Sequence, residues 1–258
     1  MIDDVRIRKI AVESGIPVGT IEKDFAITCA LKTISETTLK NKLIFKGGTA
    51  IKKLYDPQAR FSEDIDFTTI NLREEDALNT LSALNKVKID SITFDELHED
   101  GYTRQGRNYR LSYAGPLEYK NIIRLDLSFR TDIIDPVDEI ELIPQYGEEL
   151  NATVKALNFI EIMSEKIRAM ITRESPRDYY DAYSQLHKIK DKKHLKDLMI
   201  KKCKITDYEY KPENILNKEK IDRIEASWKT QLQHLVPRCP EFKNILPKLK
   251  KELKFLEE

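Results

Sequence analysis

The sequence is poor in cysteine, has no long apolar run and carries no net charge. Its three cysteines, Cys29, Cys203 and Cys239, lie far apart in 258 residues, with no CxxC pair and no histidine spacing of a zinc site. Reduced, structural thiols are therefore expected rather than metal ligands. No stretch approaches the roughly 18 uninterrupted apolar residues of a membrane-spanning helix. The amino terminus MIDDVRIRKI lacks the apolar core of a signal peptide, so a cytoplasmic protein with no membrane partner is the expectation. There is no internal repeat, no low-complexity linker, no Walker A loop and no GxGxxG fingerprint.

What is present is globular composition, with 34% charged and 40% hydrophobic residues, too apolar and too balanced for disorder. A chain of 258 residues sits at the upper end of single-domain size, and two lobes sharing a cleft are expected. The charge is unevenly placed. Residues 185–258 hold 19 Lys and Arg against 12 Asp and Glu, which leaves residues 1–184 at about −7. Basic helices of this kind are either solvated faces or polyanion-binding surfaces.

Residues 1–40 have apolar positions at helical spacing, Ile7, Ile10 and Ala11 and then Ile21, Phe25, Ala26 and Cys29, broken by SGIPVGT. Two short helices joined by a turn are expected. A DNA-reading pair is disfavoured, because Glu22 and Asp24 stand where a groove-reading helix favours Arg, Asn or Gln. From residue 42 the texture changes to strand (LIFK), tight loop (GGT), helix (AIKKLYD) and a second strand, DIDFTTI. A helix over 73–87 and strands over 91–96, 107–114 and 120–129 complete one mixed sheet within 42–143. Beyond Leu150 the reading is helical: 156–173, 177–188, 192–202, 217–235 and 241–256, the last containing Pro247. The fold class expected is α+β, a mixed sheet with flanking helices in residues 1–145 and a helical lobe in 146–258 that completes the cleft.

Three features carry chemistry. Gly47 and Gly48, between a strand and a helix, let backbone approach a ligand, and Thr49 can cap the helix and offer a hydroxyl; alone, such a loop is equally a tight connection. Asp64 and Asp66 are two apart on a strand and so share a face, with Ile65 turned to the core. Two such carboxylates repel unless a cation joins them, and hard oxygens suit Mg²⁺ (or Mn²⁺); taken alone, DID reads first as a solvated strand edge. Asp126 lies among Ile123, Leu125 and Leu127, and a carboxylate among apolar neighbours is usually paired or metal-bound. If its strand pairs with the DID strand, three carboxylates can hold one or two metals while one accepts the proton of an attacking hydroxyl.

FKGGTAIKKLY, RFSEDIDF with Asp64 sixteen residues after Gly48, and LDL around Asp126 together resemble the nucleotidyltransferase fold of the DNA polymerase beta superfamily. More closely, with EKIRAM (165–170) and RESPRDYYDAY (173–183), the chain resembles the AbiEii/AbiGii toxin family, the nucleotidyltransferase arm of type IV toxin–antitoxin systems, over about residues 15–190. The resemblance implies that Gly47, Gly48 and Thr49 hold a triphosphate, that Asp64 and Asp66 bind metal, that Lys166 contacts phosphate and that Asp178 is the acid of the helical lobe. Arg173 and Arg177 either face phosphates or orient Asp178, and Asp181 reads as structural. Arg60 and Ser62 either steer and contact the phosphates or shape the turn before DID.

The expected activity is metal-dependent transfer of a nucleotide from an NTP onto an acceptor. RNA such as a tRNA end is the leading acceptor, with the basic carboxy-terminal helices guiding its backbone, and a cognate antitoxin is an implied partner. The alternatives are nucleotidylation of a protein or small molecule, or an inactive NTP-binding regulator.

Overall fold

The computed structural model describes residues 1–103, 106–130 and 132–257 and divides into two compact units, Met1–Leu157 and Asn158–Glu258. The first unit begins with helices α1 (Asp4–Ser14) and α2 (Val18–Glu36). Gly15, at φ 66°, ends α1 with its N–H bonded back to the helix carbonyls. The second helix is not short. It runs 19 residues and is buried on nearly every side, which removes the amphipathic signal by which its length could be read. Glu22 and Asp24 are buried on α2.

Among the described residues eight strands follow: β1 (Leu43–Lys46), β2 (Asp64–Thr69), β3 (Lys88–Ile89), β4 (Ile92–Thr103), β5 (Gly106–Ala114), β6 (Lys120–Ser128), β7 (Asp138–Glu141) and β8 (Thr153–Ala156). They form one sheet in the order β3-β4-β5-β6-β2-β1-β8-β7. β2 runs parallel to β6 and β1 parallel to β8, and the other pairs are antiparallel. Alternation decides the faces. Ile65 and Phe67 on β2 and Ile123, Leu125 and Leu127 on β6 are buried, while Asp64, Asp66 and Asp126 lie half-exposed on the other face. The short edge strand β7 reads Asp-Glu-Ile-Glu, and its three carboxylate residues are exposed.

Three expectations are corrected. Strands do not stop at Leu150, because β8 adds to β1 through the Phe45–Ala156 pair and four residues are too few to show a period. The helix over 73–87 is broken into Glu74–Asp76, α4 (Ala77–Leu81) and Ser82–Leu84 before the chain extends into β3. The helix after the glycines, α3 (Gly47–Ala50), widens into a π-helical turn over Ile51–Tyr55, closed by the Asp56 N–H to Ile51 carbonyl bond of 2.8 Å.

The second unit comprises α5 (Phe159–Thr172), α6 (Pro176–Gln185), α7 (Lys192–Ile205), α8 (Lys218–Leu232) and α9 (Phe242–Glu252), the last containing Pro247. Asn158 caps α5, its side chain accepting from the Glu161 N–H at 2.8 Å. Trp228 donates from its indole to the Pro240 carbonyl (2.7 Å) and packs 4.9 Å from the Phe242 ring, joining α8 to α9.

A buried ion pair fixes the turn after the glycines. Lys53, 1% exposed, reaches Asp24 Oδ2 at 2.6 Å, Thr28 Oγ1 at 2.9 Å and Gln145 Oε1 at 2.8 Å, while the Tyr146 hydroxyl donates to the same Asp24 oxygen at 2.6 Å. Burial lowers the Lys53 pKa and Asp24 opposes that shift. Removing one partner strands the other charge in the core, so Lys53→Met should cost about 3–5 kcal/mol in urea denaturation. A loss below about 1 kcal/mol would mean that the pair does not hold the fold.

Candidate active site

The site is built where β1 ends. Gly47 adopts φ 79°, a conformation that glycine takes without strain. A Cβ there would lie 2.0 Å from Asp66 Oδ2, so the loop backbone is packed directly on the carboxylate. At Gly48 a Cβ would meet Arg60 Nη2 at 2.7 Å and Ser62 Oγ at 3.4 Å, which places Arg60 and Ser62 against the same loop. Thr49 does not cap α3. The N-cap is Lys46, whose side chain does not cap the helix, and the buried Thr49 hydroxyl donates to the Asp64 carbonyl, tying the loop to β2.

The turn that carries Arg60 is held by a residue the sequence reading did not single out. Lys52, 4% exposed, donates to the Pro57 carbonyl at 3.0 Å and the Ala59 carbonyl at 3.2 Å, and lies 3.8 Å over the Phe61 ring. Burial lowers its pKa to about 8. Arg60 itself donates to the Phe61 carbonyl at 3.0 Å. The adjacent lysines of IKKLY are thus interior anchors, and no spacing in the sequence distinguishes that from a solvated helix face.

The parallel pairing of β2 and β6 sets Asp66 beside Asp126, with Lys46 beside Asp66 on the other side. Burial first, then the charges of Asp66 and Asp64, raise the Asp126 carboxyl from 3.8 to about 6, with Arg124 opposing. The three carboxylates therefore feel one another. Among the described residues, no group of three His, Cys, Asp or Glu side chains is placed to hold a metal ion as it stands.

In the second unit the residues singled out also gather. Lys166, 12% exposed at its side chain, lies 3.2 Å from both Asp178 Oδ1 and Asp181 Oδ2. Arg173 grips Asp178 with two bonds of 2.7 and 3.0 Å. Asp178 and Asp181 are buried and Arg177 is half-buried. A second buried group, Lys202 with Glu161 at 2.7 Å and Glu165 at 2.9 Å, joins α7 to α5.

Residues 29–248 match the family described as nucleotidyl transferase AbiEii toxin, type IV TA system. The chain belongs to that family. The match reaches well past residue 190, where the motifs end, and takes in most of the basic carboxy-terminal third. No curated protein matches the sequence. Among solved structures, MenT4, a nucleotidyltransferase toxin of Mycobacterium tuberculosis H37Rv, superposes with TM-score 0.79 at 16% identity, over 100% of this chain and 90% of that one. JHP933 of Helicobacter pylori superposes with TM-score 0.61 at 16% identity, over 94% of each chain.

The chain is accordingly a nucleotidyltransferase, with a mixed sheet and flanking helices that match the fold of MenT4. Among the described residues, no helix is long and apolar enough to cross a membrane.

Two outcomes follow from this packing. Gly47→Ala forces a Cβ into Asp66 at an unfavourable φ, so transfer should fall at least about tenfold, read as kcat with NTP saturating. Asp126 gives a pH signature. Its folded pKa lies above its ordinary value, so its contribution to stability is full below about pH 4 and is lost as pH rises through about 6. With chelator present, Asp126→Asn should be more stable than the parent by about 1–2 kcal/mol near neutral pH, the gap closing toward pH 4. A gap that stays constant between the two pH values in urea melts would remove the electrostatic account.

Proposed function

We propose that the chain moves a nucleotide from an NTP onto the end of an RNA acceptor, such as a tRNA, as the toxin of a type IV pair acting in the cytoplasm with a cognate antitoxin. The observation that carries this reading is the set of carboxylates Asp64, Asp66 and Asp126 on one sheet face, with Asp66 packed against a glycine loop that Arg60 and Ser62 also touch. Gly47, Gly48 and Thr49 set the loop on which the triphosphate lies, with Arg60 and Ser62 beside it.

The donor set fits a divalent cation. Three carboxylates share one sheet face, and the Asp126 carboxyl, raised first by burial and then by the charges of Asp66 and Asp64, is one that Mg²⁺ or Mn²⁺ would hold ionised. Asp64, Asp66 and Asp126 would hold such an ion, and it would supply charge neutralisation at the phosphates. The acceptor hydroxyl oxygen attacks the α-phosphorus, its new P–O bond forms as the bond to the β-phosphate oxygen breaks, and pyrophosphate leaves. Asp126 takes the hydroxyl proton.

In the second unit, Lys166 is proposed as a phosphate contact and Asp178 as the acid that orients it, with Arg173 and Arg177 as further phosphate ligands. Support for that role is the network in which Lys166 is held by Asp178 and Asp181 with little freedom.

The test is transfer from each of four labelled NTPs to total RNA and to protein, with Mg²⁺ present. One NTP should label RNA, and Asp66→Ala should lower the rate by at least about a thousandfold while leaving the unfolding free energy from urea melts within about 1 kcal/mol of the parent. Label on protein alone, or equal activity of Asp66→Ala, sinks the proposal.

A further inference from the structure

The open face of the sheet carries a second charge row next to the carboxylates. Register sets Asp64 beside Arg124, Arg124 beside Arg110, and Arg110 beside His98, across β2, β6, β5 and β4. Arg124 and Asp126 are two apart on β6 and so share a face. Arg124, Arg110 and His98 are exposed. Arg110 is engaged by Asp100, and Arg124 stands beside Asp64 in the register and two residues from Asp126 on the same strand.

Two guanidinium groups directly opposed on antiparallel strands repel, as the carboxylates one row away do. A cation relieves the carboxylate row, and an anion laid across Arg110 and Arg124 relieves this one. The cations continue along β6. Lys120 is exposed and lies four residues before Arg124, about 13 Å at the rise of a strand. Tyr119, immediately before it, is 72% exposed. Cations spaced along a strand with an exposed aromatic ring suit a single-stranded nucleic acid, with phosphates on the cations and a base on the ring.

We propose that this face, centred on Arg124 and Arg110 and extending to Lys120 and Tyr119, docks the phosphodiester backbone of the RNA acceptor and leads its end to the carboxylates. The inference deepens the RNA-transfer reading above and rests on it. It also assigns acceptor docking to the sheet rather than to the basic carboxy-terminal helices.

The test is fluorescence anisotropy of a labelled single-stranded oligoribonucleotide over a salt series, with RNA and NTP KM measured in parallel. Arg110→Ala/Arg124→Ala should bind RNA at least about tenfold more weakly, with a salt slope shallower by about 1.4, two phosphate contacts on a single strand. RNA KM should rise in step, NTP KM should hold, and Arg110→Lys/Arg124→Lys should recover much of the affinity. Lys250→Ala/Lys251→Ala on α9 should bind as the parent does. The docking surface is overturned if the double alanine variant binds RNA as the parent does, if only its NTP KM changes, or if the α9 variant alone loses RNA. Those outcomes, with RNA still labelled by the parent, leave the transfer reading standing. If the parent labels no RNA, the transfer reading falls, and the anisotropy series decides the surface by itself.

Discussion

The first unit depends on one ammonium group in its core. Lys53 Nζ lies 2.6 Å from Asp24 Oδ2, both side chains 1% exposed, and the hydroxyls of Thr28 and Tyr146 complete the arrangement. A charge so placed tolerates little displacement, because every ångström lost to its partner leaves desolvation uncompensated. It therefore fixes the register of the turn at 51–55 against α2. That turn starts four residues after Gly47, so the position of the glycine loop over Asp66 follows from a contact outside the loop. Lys52, one residue earlier, fixes the other side by holding the carbonyls of Pro57 and Ala59. Two adjacent lysines thus fix the segments on both sides of the glycine loop's helix without standing in the loop themselves.

The sheet supplies the other half of the geometry. Because β2 and β6 are parallel and in register, Asp66 and Asp126 are neighbours, and the next row along the same face couples Asp64 to Arg124. A slip of one residue in that pairing would turn Asp126 into the core and Leu125 or Leu127 out of it, so burial of those leucines guards the carboxylates' position. Packing and chemistry are selected by the same alternation.

Much of this was legible in the sequence. DIDFTTI and NIIRLDLSF announced their strands because alternation and β-branched residues coincide there, and GGT marked the break between β1 and the helix. The helices of the second unit were readable from their spacing. Where the reading failed, the information was not local. TVKA is too short to show a period and is a strand because β1 has a free edge. Asp24 looked like an argument about DNA grooves, and its meaning appears only when Lys53, 29 residues later, is brought to it. The opposition of Arg110 and Arg124 depends on strand register, which a single sequence does not display. Thr49 was singled out for its hydroxyl, but which acceptor that hydroxyl meets is decided by the path of β2.

The outermost strand has a consequence of a different kind. A sheet of eight strands ends in rows of unsatisfied backbone groups, and such rows template further strands from other chains. Here β7 ends the sheet with four residues, and Asp138, Glu139 and Glu141 are all exposed on it. An incoming strand would have to settle alongside three like charges over a run too short to repay their repulsion. At the opposite margin, β3 is two residues long, Lys88 and Ile89, and covers only the start of β4, whose outer stretch carries Asp95, Glu96, Glu99 and Asp100. The fold thereby discourages fibrillar growth at both margins through brevity and charge.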